Sequence, residues 1–238
     1  VYGLCKSLNR EFKEIHSCCV ECDEYTDTET LLNEICHTTD RDIILYRDNI
    51  RYIEGIREKE LQSNEDNIKI LKNGVYLFSG GLGGIAYEVV YKFAQQSPDA
   101  TFILIGRRPE PTAIDNGKND NDIRRLRRLQ QLRGIAKNTF YIQCDVSNSA
   151  SVTSMINHVT NNYGKINGII HAAGIGGGIS IDKLDINRVS HIIAPKIFGT
   201  YNLDLATRDQ NLDFFVMFSS IATVFSSSDL ADYAAGNL

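Results

Sequence analysis

Val75-Tyr-Leu-Phe-Ser-Gly-Gly-Leu-Gly-Gly-Ile-Ala86 is the stretch on which the fold turns. Val75 to Phe78 is a short apolar run that fits a buried strand, a glycine turn follows at once, and Tyr87 to Gln95 carries helical periodicity. Strand, glycine turn and helix in immediate succession suit a pyrophosphate. Backbone without side chains comes close to the phosphates, and the amino terminus of the helix offers unpaired N–H groups and a favourable dipole. Gly80, Gly81, Gly83 and Gly84 are the candidate phosphate cradle.

Outward from this motif, further apolar runs recur at Thr101 to Ile105, Phe140 to Cys144, Gly168 to His171 and Phe214 to Phe218, with longer amphipathic segments between them. Strands alternating with helices imply right-handed crossovers and an α/β fold with a doubly wound, parallel, Rossmann-like sheet. Ligands of such sheets sit at the carboxyl ends of the strands. The second strand ends Ile105-Gly-Arg-Arg108, where an NAD enzyme places an acid for the ribose hydroxyls; Arg107 and Arg108 favour a 2′-phosphate, hence NADPH. The third strand ends Cys144-Asp145-Val146 and the fourth His171-Ala172-Ala173-Gly174, both at the same end of the sheet as the glycine turn.

The 238 residues are 42% hydrophobic and 23% charged, enough for a real core. A net charge of −5 argues against a nucleic-acid partner. No apolar run approaches the roughly 20 residues of a membrane helix, and Val1 to Arg10 lacks the layout of a secretory signal, so a cytoplasmic location is expected. Cys18, Cys19, Cys22, Cys36 and His37 are close in sequence, but Cys19 to Cys22 reads as strand and no second spaced pair follows. Reduced thiols are favoured over zinc.

Residues 1–70 read as part of a smaller α/β unit: a helix over Tyr2 to Phe12, an apolar run from Ile15 to Cys22, and helical spacing of Leu31, Leu32, Ile35 and Cys36. Two short strands, Ile43 to Tyr46 and Tyr52 to Ile56, flank a turn at Asp48-Asn49. Gln62 to Lys69 is a polar connection to the second domain, residues 71–238. Within it, Asp115 to Asp122 reads as a surface loop, and Ile123, Leu126, Leu129 and Leu132 form the apolar stripe of a helix whose arginines face solvent.

Taken together these motifs resemble the short-chain dehydrogenase/reductase superfamily, and within it the ketoreductase domains of modular polyketide synthases. The resemblance implies that Gly80, Gly81, Gly83 and Gly84 hold the pyrophosphate, that Asp145 contacts adenine with Val146 beside it, and that Ala172, Ala173 and Gly174 lie against the cofactor. Further along come Lys196, Ser220, Tyr233 and Asn237, within Pro195 to Leu203, Phe218 to Ala222 and Tyr233 to Asn237. Free-standing members carry lysine four residues after the tyrosine, whereas synthase ketoreductases resemble this chain in having asparagine there and lysine upstream. Residues 1–70 likewise resemble the end of the cofactor-free structural subdomain of these enzymes.

The implied chemistry is reduction of a β-ketoacyl thioester on an acyl carrier protein, with other domains of the same synthase as neighbours. Tyr233 would be the proton donor, Lys196 would lower its pKa, Ser220 would hydrogen-bond the carbonyl oxygen, and Asn237 would hold Lys196 or a relay water. Alternative readings are an α-ketoacyl reductase of a peptide-synthetase-like line and a non-reducing structural module. Ala86 stands where the family has a further glycine, Ile175-Gly-Gly-Gly178 replaces the Leu-Asp-Asp motif of one stereochemical class, and the tryptophan of the other class is missing, with Phe225 in that neighbourhood. The family continues past the position matched by Asn237, so this chain is expected to be a fragment that binds NADPH better than it turns over.

Overall fold

A computed structural model describes residues 1–37, 41–60, 69–112 and 119–238. The elements in chain order are α1 (Tyr2–Glu11), β1 (Cys19–Glu21), α2 (Thr28–Cys36), β2 (Ile43–Arg47), β3 (Ile50–Ile53), β4 (Val75–Ser79), α3 (Gly84–Gln96), β5 (Thr101–Gly106) and α4 (Asp120–Ile135). There follow β6 (Thr139–Gln143), α5 (Ser149–Tyr163), β7 (Ile166–His171), α6 (Ile186–Thr207), β8 (Phe214–Met217) and α7 (Ala231–Asn237), with a short 3-10 turn at Ile221–Thr223. No helix among the described residues is long and apolar enough to cross a membrane. Gln62 to Lys69 falls almost wholly outside the described residues.

Two compact units make up the chain. One comprises Val1–Asp66, Gly176–Ile192 and Ser219–Leu238, the other Asn67–Ile175 and Ile193–Phe218. The second holds a five-stranded parallel sheet in the order β6-β5-β4-β7-β8. The chain runs outward from β4 in one direction through β6, then returns to its other side for β7 and β8. That reversal creates the crevice at which doubly wound sheets bind ligands.

Alternation along the buried strands sorts the core into two layers. Val75, Leu77, Ile103 and Ile105 pack with Val152, Ile156, Val159 and Leu203 on one face. Tyr76, Phe78, Phe102 and Leu104 pack with Val90, Ala94, Leu129 and Leu132 on the other. The expected arginine-rich helix is α4, and it starts earlier than its apolar stripe suggested. Asn119 Oδ1 accepts from the Asp122 backbone N–H (3.0 Å) as an amino-terminal cap, and Asp120 and Asp122 suit the dipole of the first turn. Asp120 to Asp122 are thus helical rather than loop; residues 113–118 lie outside the described residues.

The other unit contains a three-stranded sheet, β1-β2-β3, with β1 parallel and β3 antiparallel to β2. Asp48 and Asn49 adopt φ of 51° and 59°, a two-residue hairpin turn that sets Arg47 opposite Ile50. This register moves the third strand forward from the expected Tyr52–Ile56: pairing begins at Ile50 and ends with Ile53 opposite Ile44, near the start of β2. The β1 strand is shorter than the apolar run from Ile15 to Cys22 suggested. Among the described residues no group of three or more His, Cys, Asp or Glu side chains is placed to hold a metal ion.

Candidate active site

At the carboxyl ends of β4, β5, β6 and β7 lies a groove of about 200 Å³. Gly80, Gly83, Arg107, Val146, Ala172, Ala173 and Gly174 line it. An adjoining groove of about 350 Å³ adds Gly84, Arg108, Arg124 and Arg128 to the wall. Nine of the eleven expected cofactor residues therefore surround one continuous region of strand ends. Gly81 and Asp145 do not line it. A Cβ on Gly81 would meet Leu104 Cδ2 at 2.9 Å and Phe78 Cβ at 3.0 Å, so that glycine serves core packing. The Asp145 carboxylate accepts from the Ser147 backbone N–H at 2.9 Å and closes its own turn.

Gly80 turns the chain out of β4 with φ +69°, the left-handed region that favours glycine, and a Cβ there would come within 3.1 Å of the Ala173 backbone. Its N–H donates to Ile105 O (2.9 Å), and its carbonyl accepts from Gly83 N–H (2.7 Å). Gly83 then caps α3, whose first residue, Gly84, has open space where a Cβ would stand. The loop thus presents bare backbone and a helix amino terminus to the groove, as a pyrophosphate requires. Arg128 straps the loop from α4: its Nη1 donates to Leu82 O (2.9 Å) while its guanidinium lies over the Tyr87 ring (4.6 Å). Ala86, only 3% exposed, sits in the core beneath the loop.

Arg107 is exposed at the groove and has no ion pair among the described residues. Arg108 pairs with Asp122 (3.1 Å), a carboxylate it shares with Arg125 (3.2 Å). Arg107 is the freer cation for a phosphate.

A buried hydrogen-bond chain that sequence reading missed fixes the other wall. His171 Nε2 lies 2.9 Å from Pro195 O, which can only accept, so the proton sits on Nε2. Nδ1 must then accept from the Ser79 hydroxyl at 2.6 Å. Ser79 Oγ in turn accepts from the N–H groups of Ala172 (3.2 Å) and Ala173 (3.1 Å). Burial pushes the His171 pKa down to about 4, which keeps the ring neutral and the chain of donors intact. Close approach of α6 is possible because residue 199 is glycine: a Cβ there would meet Val146 Cγ2 at 2.8 Å and His171 Cε1 at 3.2 Å. Buried Asn202 adds a bond from Nδ2 to Val146 O (2.9 Å). The one sequence clue was Pro195 within an otherwise helical run, whose neighbourhood departs from simple periodicity.

Next to Pro195, Lys196 lays its stem beside Gly174, where a Cβ would be 3.0 Å from Lys196 Cε. Its ammonium donates to Phe218 O at 2.6 Å, and burial lowers its pKa. Ser220, Tyr233 and Asn237 belong to the other unit. Ser220 caps the 3-10 turn, its Oγ accepting from Ala222 N–H (3.2 Å). Tyr233 and Asn237 occupy successive turns of α7, where Asn237 Nδ2 donates to Tyr233 O (2.8 Å). Asn237 Oδ1 is buried without a hydrogen-bond partner among the described residues, an acceptor that suits a water or an ammonium.

The KR domain family matches residues 74–238. The polyketide synthase PksN of Bacillus subtilis (strain 168) is 31% identical over 99% of the chain, and PksL of the same organism is 37% identical over 69%. The chain spans only 4% and 3% of their respective lengths. Among solved structures, a ketoreductase domain from the bacillaene assembly line superposes with a TM-score of 0.82 at 26% identity, covering 99% of this chain and 54% of that one. An N-terminal ketoreductase from the macrolactin assembly line gives 0.78 at 26% identity, covering 99% and 46%. With a match that takes in the glycine loop, Lys196, Ser220 and the tyrosine helix, this chain belongs to the KR domain family, the ketoreductases of the short-chain dehydrogenase/reductase superfamily.

Proposed function

We propose that the chain binds NADPH and reduces a β-ketoacyl thioester, carried on an acyl carrier protein, to the β-hydroxyacyl product within a polyketide synthase. The observation that carries this reading is the family match over residues 74–238, which takes in the Gly80 loop and Asn237. Residues 71–238 would hold the machinery and residues 1–70 the end of the structural subdomain. NADPH fits the residues present: the loop from Gly80 to Gly84 would take the pyrophosphate, Arg107 the 2′-phosphate, and the wall from Ala172 to Gly174 the nicotinamide end.

When bound, the cofactor supplies a hydride to the ketone carbon. The chain's own residues handle the charge that grows on the oxygen. Tyr233 donates the proton and Ser220 hydrogen-bonds the carbonyl oxygen, with Lys196 as the cationic member of the set. Asn237 Oδ1, without a partner among the described residues, would hold the water or ammonium through which Tyr233 regains a proton.

The test is NADPH consumption with a short β-ketoacyl thioester, comparing the full-length protein with Tyr233→Phe. Turnover should fall about 100-fold or more while NADPH affinity is unchanged. Equal turnover in the variant would remove Tyr233 from the mechanism, and NADPH binding without wild-type turnover would point to the non-reducing module.

A further inference from the structure

Gly3, Lys6 and Ser7 stand at i, i+3 and i+4 of α1 and therefore share one face of that helix. Each meets a different part of the segment that carries Ser220 and Tyr233, within the same unit. A Cβ on Gly3 would lie 2.5 Å from Ala235 N and 2.6 Å from Ala234 C, so α1 and α7 cross in backbone contact just beyond Tyr233. Ser7 Oγ is 2.6 Å from Ser226 Oγ, with both residues buried.

Lys6 is the unusual member. Its side chain is 1% exposed, and an ammonium so buried is retained only where it is paired. Nζ donates to Thr223 O at 2.7 Å and to Glu54 Oε2 at 2.6 Å. Thr223 O ends the 3-10 turn Ile221–Thr223, so it is a carbonyl that the turn itself leaves unsatisfied. Thr223 also donates twice to the Ser220 carbonyl, from N–H (3.1 Å) and from Oγ1 (2.7 Å). Displacement of Thr223 must therefore move Ser220. A leucine or methionine could fill the space beneath α1, but neither could hold that carbonyl.

We infer that the Gly3–Lys6–Ser7 face of α1 positions the reacting groups, with Lys6 setting the Ser220 turn and Gly3 setting the height of the Tyr233 helix. This deepens the reductase reading and rests on it for its effect on turnover. Lys6 is a positioning residue; it acts through Thr223 on Ser220. The glycine loop belongs to the other unit, so cofactor affinity separates positioning from general loss of structure.

In the full-length protein, Lys6→Met should lower kcat about tenfold or more while the Kd for NADPH, read by fluorescence titration, stays within twofold. Ser7→Ala should lower kcat by roughly threefold with the same unchanged Kd. Independently of turnover, backbone hydrogen exchange at Thr223 and Val224 should speed up about tenfold in Lys6→Met, with the β4 and β5 amides unaffected. Exchange at the turn unchanged from wild type would overturn the proposal, as would a fall of kcat and NADPH affinity together. Should Lys6→Met fail to fold, Ser7→Ala decides on the same two readouts. Faster exchange in a protein whose wild type never turns over would leave the clamp standing and break the reductase reading instead.

Discussion

The glycine loop after β4 and the serine turn after β8 are both short segments that leave a strand of the parallel sheet, yet they are held by different means. Backbone does most of the holding in the first: Gly80 N–H on Ile105 O, Gly83 N–H on Gly80 O, and the peptide edge of Ala172 and Ala173 packed against a residue that has no Cβ, with Arg128 on Leu82 O as a side-chain strap. Side chains hold the second, with Lys6 on Thr223 and Ser7 on Ser226 reaching from the far end of the sequence. A shelf built mostly of backbone fails first where a Cβ is added. A side-chain-built turn fails when a remote polar residue is lost.

The sharpest test of the first half of this contrast is Gly80→Val. A β-branched residue at φ +69°, with its Cβ 3.1 Å from the Ala173 backbone, should abolish measurable NADPH binding and lower stability by about 2–3 kcal/mol. Fluorescence titration with NADPH, together with thermal melting, would show it; retained affinity would mean that the loop is not the cradle.

A second, smaller effect concerns the wall on the opposite side. His171 has its pKa depressed to about 4 by burial, below the usual histidine value, so the unfolded chain takes up protons at a higher pH than the folded one. The stability conferred by the neutral ring is complete above about pH 6.5 and is lost as pH falls through the window down to about pH 4. Between about pH 7.5 and pH 5 the loss is roughly 2 kcal/mol. Thermal melts at these two values should fall by about 5 °C more in the wild type than in His171→Gln. Equal slopes would show that His171 is not buried neutral.

Gly84→Ala should have the smallest effect on the fold and is the most discriminating of the three. Open space surrounds the missing Cβ at the first residue of α3, so alanine should leave the protein as stable or stabilise it by up to about 1 kcal/mol. On the proposed reading NADPH affinity should nonetheless fall about tenfold, because the added methyl would stand where the pyrophosphate goes. A variant that is neither stabilised nor weakened in binding would separate the shelf from the cofactor.

These contrasts also explain what the sequence disclosed. β4, β5 and β7 are buried on both faces, so their apolar runs stood out, and the glycine turn after β4 together with the strand ends marked the groove. Nine of the eleven residues expected around the cofactor line it because strand ends in a parallel sheet leave few other places for them. Gly81 stands off the groove, and a glycine kept for a ligand and one kept for a neighbouring Leu104 look alike in one dimension. The hairpin register was hidden because two positive φ values, not the apolar pattern, set it. Ser79, His171 and Pro195 form a relay across three distant segments, and Lys6 is an ordinary lysine of a short helix until Thr223 is known to sit above it. Pairings of that kind have no local signature.

The bond from Lys6 to Thr223 spans 217 residues. Joining such distant points of a flexible chain costs on the order of 5 kcal/mol in closure entropy, against about 3 for strands roughly 25 residues apart, as β4 and β5 are. During synthesis α1 is made long before the segment that carries Thr223 and must wait for it, while the strands of the parallel sheet pair as they appear. The parallel sheet and its glycine loop should therefore form well before the segment that carries Ser220 and Tyr233 is seated.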